Sequence, residues 1–133
     1  MKGFLQITFG ILLLSACVKE GVEIEPTSSF EGSWKWWQKT GGIGGIYEDT
    51  ATSSDRMTLQ FDTDDTYDWT KNDTLIHNGG YHSKMDTSVV LNQRVMMLTL
   101  ENYPTRMIVK HKNDTLELVE DVIDGYTYRF IRK

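Results

Sequence analysis

The stretch Phe30-Glu-Gly-Ser-Trp-Lys-Trp-Trp-Gln-Lys39 decides the reading of the fold, because it holds three of the chain's four tryptophans. Phe30, Gly32, Trp34 and Trp36 share one parity, and in an extended chain residues of one parity face one side. The pattern predicts a strand laid into a core, with Lys35 and Trp37 on the opposite face. Trp34 and Trp36 then read as core residues. Trp37 reads as an outward ring, either part of a partner surface or covered by the polar run 48–55.

Working outward toward the N-terminus, Lys2 supplies a short positive region, residues 4–14 an apolar one, and small residues lead to Cys17. The apolar run is too short for a stable transmembrane anchor and fits a signal peptide over residues 1–16. Leu14-Ser15-Ala16-Cys17 resembles the lipobox of bacterial lipoproteins. That resemblance implies cleavage before Cys17, lipidation of its thiol with palmitate-type chains, and attachment to the outer membrane on its periplasmic or cell-surface face. One acyl chain holds a protein only marginally, at about 0.8 kcal/mol per buried methylene; the three chains of that family make attachment effectively permanent. Cys17 is the only cysteine, so stability has to come from packing. Residues 17–29 carry Lys19, Glu20, Glu23, Glu25 and Pro26 without periodicity and read as a flexible tether. Lys19-Glu20 resembles the acidic signals that send some lipoproteins to the cell surface.

Toward the C-terminus, residues 40–55 begin with a glycine-rich run and read as a long mouth loop. Residues 56–62 alternate, with Met57, Leu59 and Phe61 inward. Residues 66–71 alternate again, with Tyr67 and Trp69 on one face. Further strands are expected at 74–82, 88–91, 94–100, 105–110, 115–119 and 126–130, with a bend or bulge at Gly79-Gly80. Val95-Met-Met-Leu98 is apolar on both faces, which predicts cover on its outer side as well. Lys71-Asn-Asp-Thr-Leu75 recurs as Lys112-Asn-Asp-Thr-Leu116, and Asn-Asp suits a tight hairpin because both residues tolerate left-handed backbone angles. Asp124-Gly125 is a further hairpin signal.

Short strands at close intervals with no helical stretch predict an all-β domain over residues 30–133, an antiparallel up-and-down β-barrel of about eight strands. Gly32-Ser33-Trp34 resembles the Gly-X-Trp signature in the first strand of lipocalins and small lipocalin-like bacterial lipoproteins. The resemblance implies closure of first strand on last, with Trp34 plugging one end. It also implies an arginine from the end of the barrel packed over that tryptophan, for which Arg129 and Arg132 are both candidates. The strands read as shorter than those of ligand-carrying lipocalins, which argues against a deep cup.

The charge balance, 14 Lys and Arg against 19 Asp and Glu, has no basic cluster and speaks against a nucleic-acid partner. His77, His82 and His111 lack metal-ligand spacing. Residues 62–73 lack the glycine a calcium loop needs at its sixth position, where Tyr67 stands. No serine sits in a nucleophile elbow and no carboxylate pair stands out, so neither an enzyme nor a cofactor is expected. Two functions remain. One is a membrane-anchored lipoprotein binding a small apolar or amphipathic ligand at the barrel mouth, with Gly41, Gly42, Ile43, Gly44, Gly45, Ile46 and Tyr47 as rim and Trp36 and Trp69 as wall. The other is a non-enzymatic envelope interaction protein with a solid barrel, docking a protein or glycan by its outer face. The inward set Trp34, Trp36, Phe61, Tyr67, Trp69, Tyr81, Tyr128 and Phe130 decides how much room is left. Such rings bury about 150–250 Å² each, and an eight-stranded barrel is only just wide enough for its own side chains or one small ligand. A shallow pocket at the open end, too small for a long acyl chain, is the expectation. Asp49-Thr50, Asp73-Thr74 and Asp114-Thr115 resemble a short bacterial O-glycosylation motif, which implies Thr50, Thr74 and Thr115 as acceptors.

Overall fold

The computed structural model describes residues 29–133. The signal peptide expected over residues 1–16, the lipidation expected at Cys17 and the tether expected up to residue 28 lie outside the described residues. The strands are β1 (Gly32–Gly41), β2 (Tyr47–Thr50), β3 (Met57–Phe61), β4 (Thr66–Lys71) and β5 (Thr74–Thr87), then β6 (Arg94–Leu100), β7 (Met107–Lys112), β8 (Thr115–Glu120) and β9 (Tyr126–Arg132). A short 3-10 turn, Ile43–Gly45, precedes β2.

Each strand pairs antiparallel with the next around the sheet, and β9 returns to pair with β1. β3 pairs with residues 32–35 of β1 while β2 pairs with residues 38–41, so the two short strands together make one stave. The result is a closed eight-stranded antiparallel barrel, consistent with a lipocalin-like one. Closure pairs both edges of every strand but the short β2, which pairs with β1 alone.

The strand that opened the reading contains a bulge. Trp36 opposes Phe130 and Gln38 opposes Arg129, leaving Trp37 as the extra residue. An extra residue resets the parity of everything after it. Trp34 and Trp36 therefore point inward and are fully buried, Trp37 is 41% exposed, and Lys39, opposite the inward Tyr128, turns into the barrel.

Alternation elsewhere does what the sequence predicts. Met57, Leu59, Phe61, Tyr67 and Trp69 are buried, as are Leu116, Leu118, Tyr128 and Phe130. Tyr81 is half-buried against the same core. Phe30 closes the floor, its ring 5.0 Å from Phe61 and 5.9 Å from Tyr81. Met97 and Ile108 are also buried but lie outside the main cluster. Their neighbours along the strands, Leu98 and Met107, pair with each other and belong to that cluster, so β6 is covered on both faces.

Three expectations are corrected. Residues 88–91 form a turn, not a strand, because their donors are taken by side chains. Val89 and Val90 give their N–H groups to Asp121 at 3.0 and 3.2 Å, and Leu91 gives its own to Ser88 Oγ at 3.0 Å. The run 40–55 is not one long loop: Tyr47–Thr50 finds a free edge on β1 beyond the end of β3 and pairs there. The bulge in β5 falls at Ile76, between the pairs Trp69–His77 and Thr70–Leu75, rather than at Gly79-Gly80. Gly79 instead occupies φ 148° where a Cβ would lie 2.9 Å from the Glu101 side chain.

The repeated Asn-Asp pairs both make two-residue hairpin turns. Asn72 and Asp73 both take positive φ, whereas in the second copy only Asn113 does.

Candidate functional site at the barrel mouth

The floor of the barrel is filled and the other end is not. A cavity of about 230 Å³ opens there, walled by Lys39, Trp69, His77, Tyr103 and Tyr128, with Tyr47 and Asp49 at the rim. Its position agrees with a shallow pocket over a packed interior.

The wall is mostly aromatic and held by ring contacts. Tyr103, from the β6–β7 connection, stacks on Trp69 at 5.5 Å and 17°, and Tyr128 meets Trp69 edge-on at 5.2 Å. His77 stands edge-on to Tyr103 at 5.3 Å. The Tyr103 hydroxyl donates to Glu120 Oε1 at 2.6 Å, and Glu120 Oε2 accepts the Tyr126 N–H at 2.9 Å. Burial, reinforced by the bond to Glu120, pushes the Tyr103 phenol far above its ordinary value. Burial raises Tyr128 as well. Both phenols are therefore neutral donors across the physiological range.

Lys39 is the cation of the site. Its Nζ lies 3.8 Å from the ring centre of Tyr126, 5.1 Å from Tyr128 and 5.5 Å from Tyr47. Such rings attract an ammonium by their quadrupole. Burial lowers the Lys39 pKa, against the attraction of Glu120 and Asp49. The second lysine at the mouth, Lys71, is engaged with Asp55 at 3.0 Å.

The expected site residues divide. Tyr47 and Trp69 line the cavity. Trp36 is fully buried beneath it. Ile43 and Ile46 are 84% and 88% exposed and project into solvent. Gly41 lies in β1 against Gly125, whose carbonyl oxygen would be 2.4 Å from an added Cβ, and Gly42 is backed by the Tyr126 ring. Gly44 and Gly45 have open space around them. Lys39, Tyr103 and Glu120 escape a reading of the sequence: the first depends on the bulge, the second on a loop conformation, the third on the register of β8.

A second depression, about 540 Å³, lies beside Trp37 and the outward side chains Lys110, Lys112, Glu117 and Arg129. Arg129 spans this face, donating to Glu117 at 2.9 Å, Gln38 at 2.8 Å and Thr40 at 3.0 Å.

No family model, no curated protein and no solved structure matches the chain.

Proposed function

We propose that the protein is a lipid-anchored lipoprotein of the bacterial outer membrane whose barrel binds a small ligand at its mouth. The observation that carries the ligand-binding half is the mouth cavity itself: stacked aromatic walls held by hydrogen bonds, one lysine inside, and a packed floor beneath. Convergent polar groups in a largely aromatic concavity are the usual makings of a small-molecule site. The anchoring half rests on the Cys17 lipobox. Native mass spectrometry of protein purified from its own membrane tests both halves, with acyl mass and a retained small molecule as the expected result. Polypeptide mass alone would refute the reading. Radiolabelled palmitate should enter the native chain and not Cys17→Ala. Thr50, Thr74 and Thr115 are exposed, and the same spectra would carry glycan mass if they are modified.

The depression beside Trp37 supports the second reading, an outer face that docks an envelope protein or glycan. Trp37→Ser should then abolish co-purification of a partner while leaving ligand retention at the mouth intact.

A further inference from the structure

One cationic hydrogen-bond donor, Lys39 Nζ, meets the mouth cavity without an acceptor. Lys39 Nζ is surrounded by tyrosine rings, and among the described residues no carboxylate comes within ion-pairing distance of it. Trp69, only 2% exposed, lends the same cavity its ring, while its indole N–H is closed off from it. The nearby carboxylates are partly engaged. Both oxygens of Glu120 are taken by Tyr103 and Tyr126, and Asp49 accepts from Tyr47 at 3.4 Å. A half-buried ammonium ringed by aromatic faces has given up part of its hydration, and a bound anion relieves it.

The shape narrows the acceptor. The Trp69–Tyr103 stack is a flat surface, and Tyr128 stands at 82° to it. An apolar cavity of about 150 Å³ is known to take one benzene ring. The 230 Å³ here holds one ring and a small polar group, and is too small to enclose a long acyl chain. We propose that the mouth selects a small planar anion, a single-ring aromatic carboxylate, with its carboxylate on Lys39 and its ring against the Trp69, Tyr103 and Tyr128 surfaces. This rests on the mouth being a ligand site. Charge-assisted hydrogen bonds are roughly twice as strong as neutral ones, so the carboxylate should dominate affinity. The chain's net charge of −5 opposes approach of an anion, so selectivity comes from the local donor.

The test uses the full chain in lipid nanodiscs, with tryptophan fluorescence and calorimetry reporting on benzoate, benzamide, benzylamine and hexanoate. Benzoate should bind saturably and at least tenfold more tightly than the other three. Lys39→Met should lower benzoate affinity at least tenfold and leave benzamide unchanged, while melting cooperatively. Trp69→Phe, which shrinks the stacking surface, should weaken benzoate and benzamide alike by a few-fold. Equal affinity for benzoate and benzamide would overturn the anion selection and leave the mouth as a ligand site. Tighter binding of benzylamine would reverse its sign. Benzoate binding that survives Lys39→Met would place the anion elsewhere and overturn the proposal. If none of the four binds and the protein also retains no molecule from its membrane, the mouth reading falls with it.

Discussion

The Arg132 guanidinium lies over the Trp34 indole, its central carbon 4.2 Å from the ring centre. The two residues are register partners across the seam that closes the barrel. Arg132 Nη1 also donates to the Glu31 carbonyl at 2.9 Å, and Trp34 Nε1 to the Phe30 carbonyl at 2.7 Å. Gly32 completes the lock. It takes φ +115°, and a Cβ there would sit 2.7 Å from Arg132 Nη1. The glycine of Gly-Ser-Trp is thus required by an arginine at the far end of the chain. Of the two arginines at the end of the barrel, Arg132 covers the ring and Arg129 belongs to the outer face.

Breaking this lock should be costly. Trp34 is fully buried, so Trp34→Ala is expected to lose about 3–5 kcal/mol. Gly32→Ala should lose about 1–3 kcal/mol, because it forces a side chain into a positive-φ position and displaces Arg132. Arg132→Lys keeps the charge but loses the planar stack, and should destabilise less than either. Urea denaturation of the three variants checks the order. Deletion of residues 126–133 removes the closing strand, and the truncated chain should show no cooperative melt.

Asp121 holds the β5–β6 turn in place. The carboxylate, 5% exposed, accepts from Ser88 Oγ at 2.6 Å, from the N–H groups of Val89 and Val90, and from Arg106 at 3.2 Å. Burial by itself would raise its pKa; these donors outweigh burial and hold it below the ordinary value. A carboxylate depressed in the fold adds stability that is fully present above its unfolded value, about 3.9, and is lost as pH falls through the folded value. Asp121→Asn should therefore lower stability at neutral pH and flatten the loss below pH 4. Asp121→Ala leaves buried donors unpaired and should cost about 1–3 kcal/mol. Melting curves from pH 7 down to pH 2 for the three proteins separate these effects.

Lys39 should be a residue the fold would be more stable without. Its pKa is lowered chiefly by burial, so the folded state resists protonation more than the unfolded one does. Stability from this group rises with pH through the folded value up to the unfolded one, about 10.4. Lys39→Met removes the desolvation and should raise Tm at pH 7, with a gain that shrinks toward pH 10. A lower Tm would mean that the tyrosine rings around the ammonium outweigh its desolvation.

The β6–β7 seam is the thinnest in the barrel. Only Met97–Ile108 and Leu98–Met107 are in register there, against seven pairs between β5 and β6. The seam is sealed by the burial of those four side chains rather than by a long ladder. Native-state hydrogen exchange should find the amides of residues 102, 103, 105 and 106 exchanging well before those of β1 and β9. This connection carries Tyr103, so a ligand stacked on that ring should slow exchange there.

The sequence alone determined the local pattern. Alternation of apolar and polar residues placed Met57, Leu59, Phe61, Tyr67, Trp69, Leu116 and Leu118 inside, and Asn-Asp turns marked two hairpins. These signals are legible because side-chain direction in a strand is a nearest-neighbour property with a period of two residues. Tertiary structure decided the rest. The extra residue at Trp37 turned Lys39 into the barrel, and nothing at that position in the sequence announces a bulge. Tyr47–Thr50 became a strand because β3 begins only at Met57 and leaves β1 an edge to share. Residues 88–91 became a turn because Asp121, more than thirty residues later, takes the Val89 and Val90 N–H groups and the Ser88 hydroxyl. Arg132 rather than Arg129 covers Trp34 because register sets which arginine stands at the floor. Each of these outcomes depends on partners distant in the chain, and a shift of one residue in pairing reverses which face a side chain occupies.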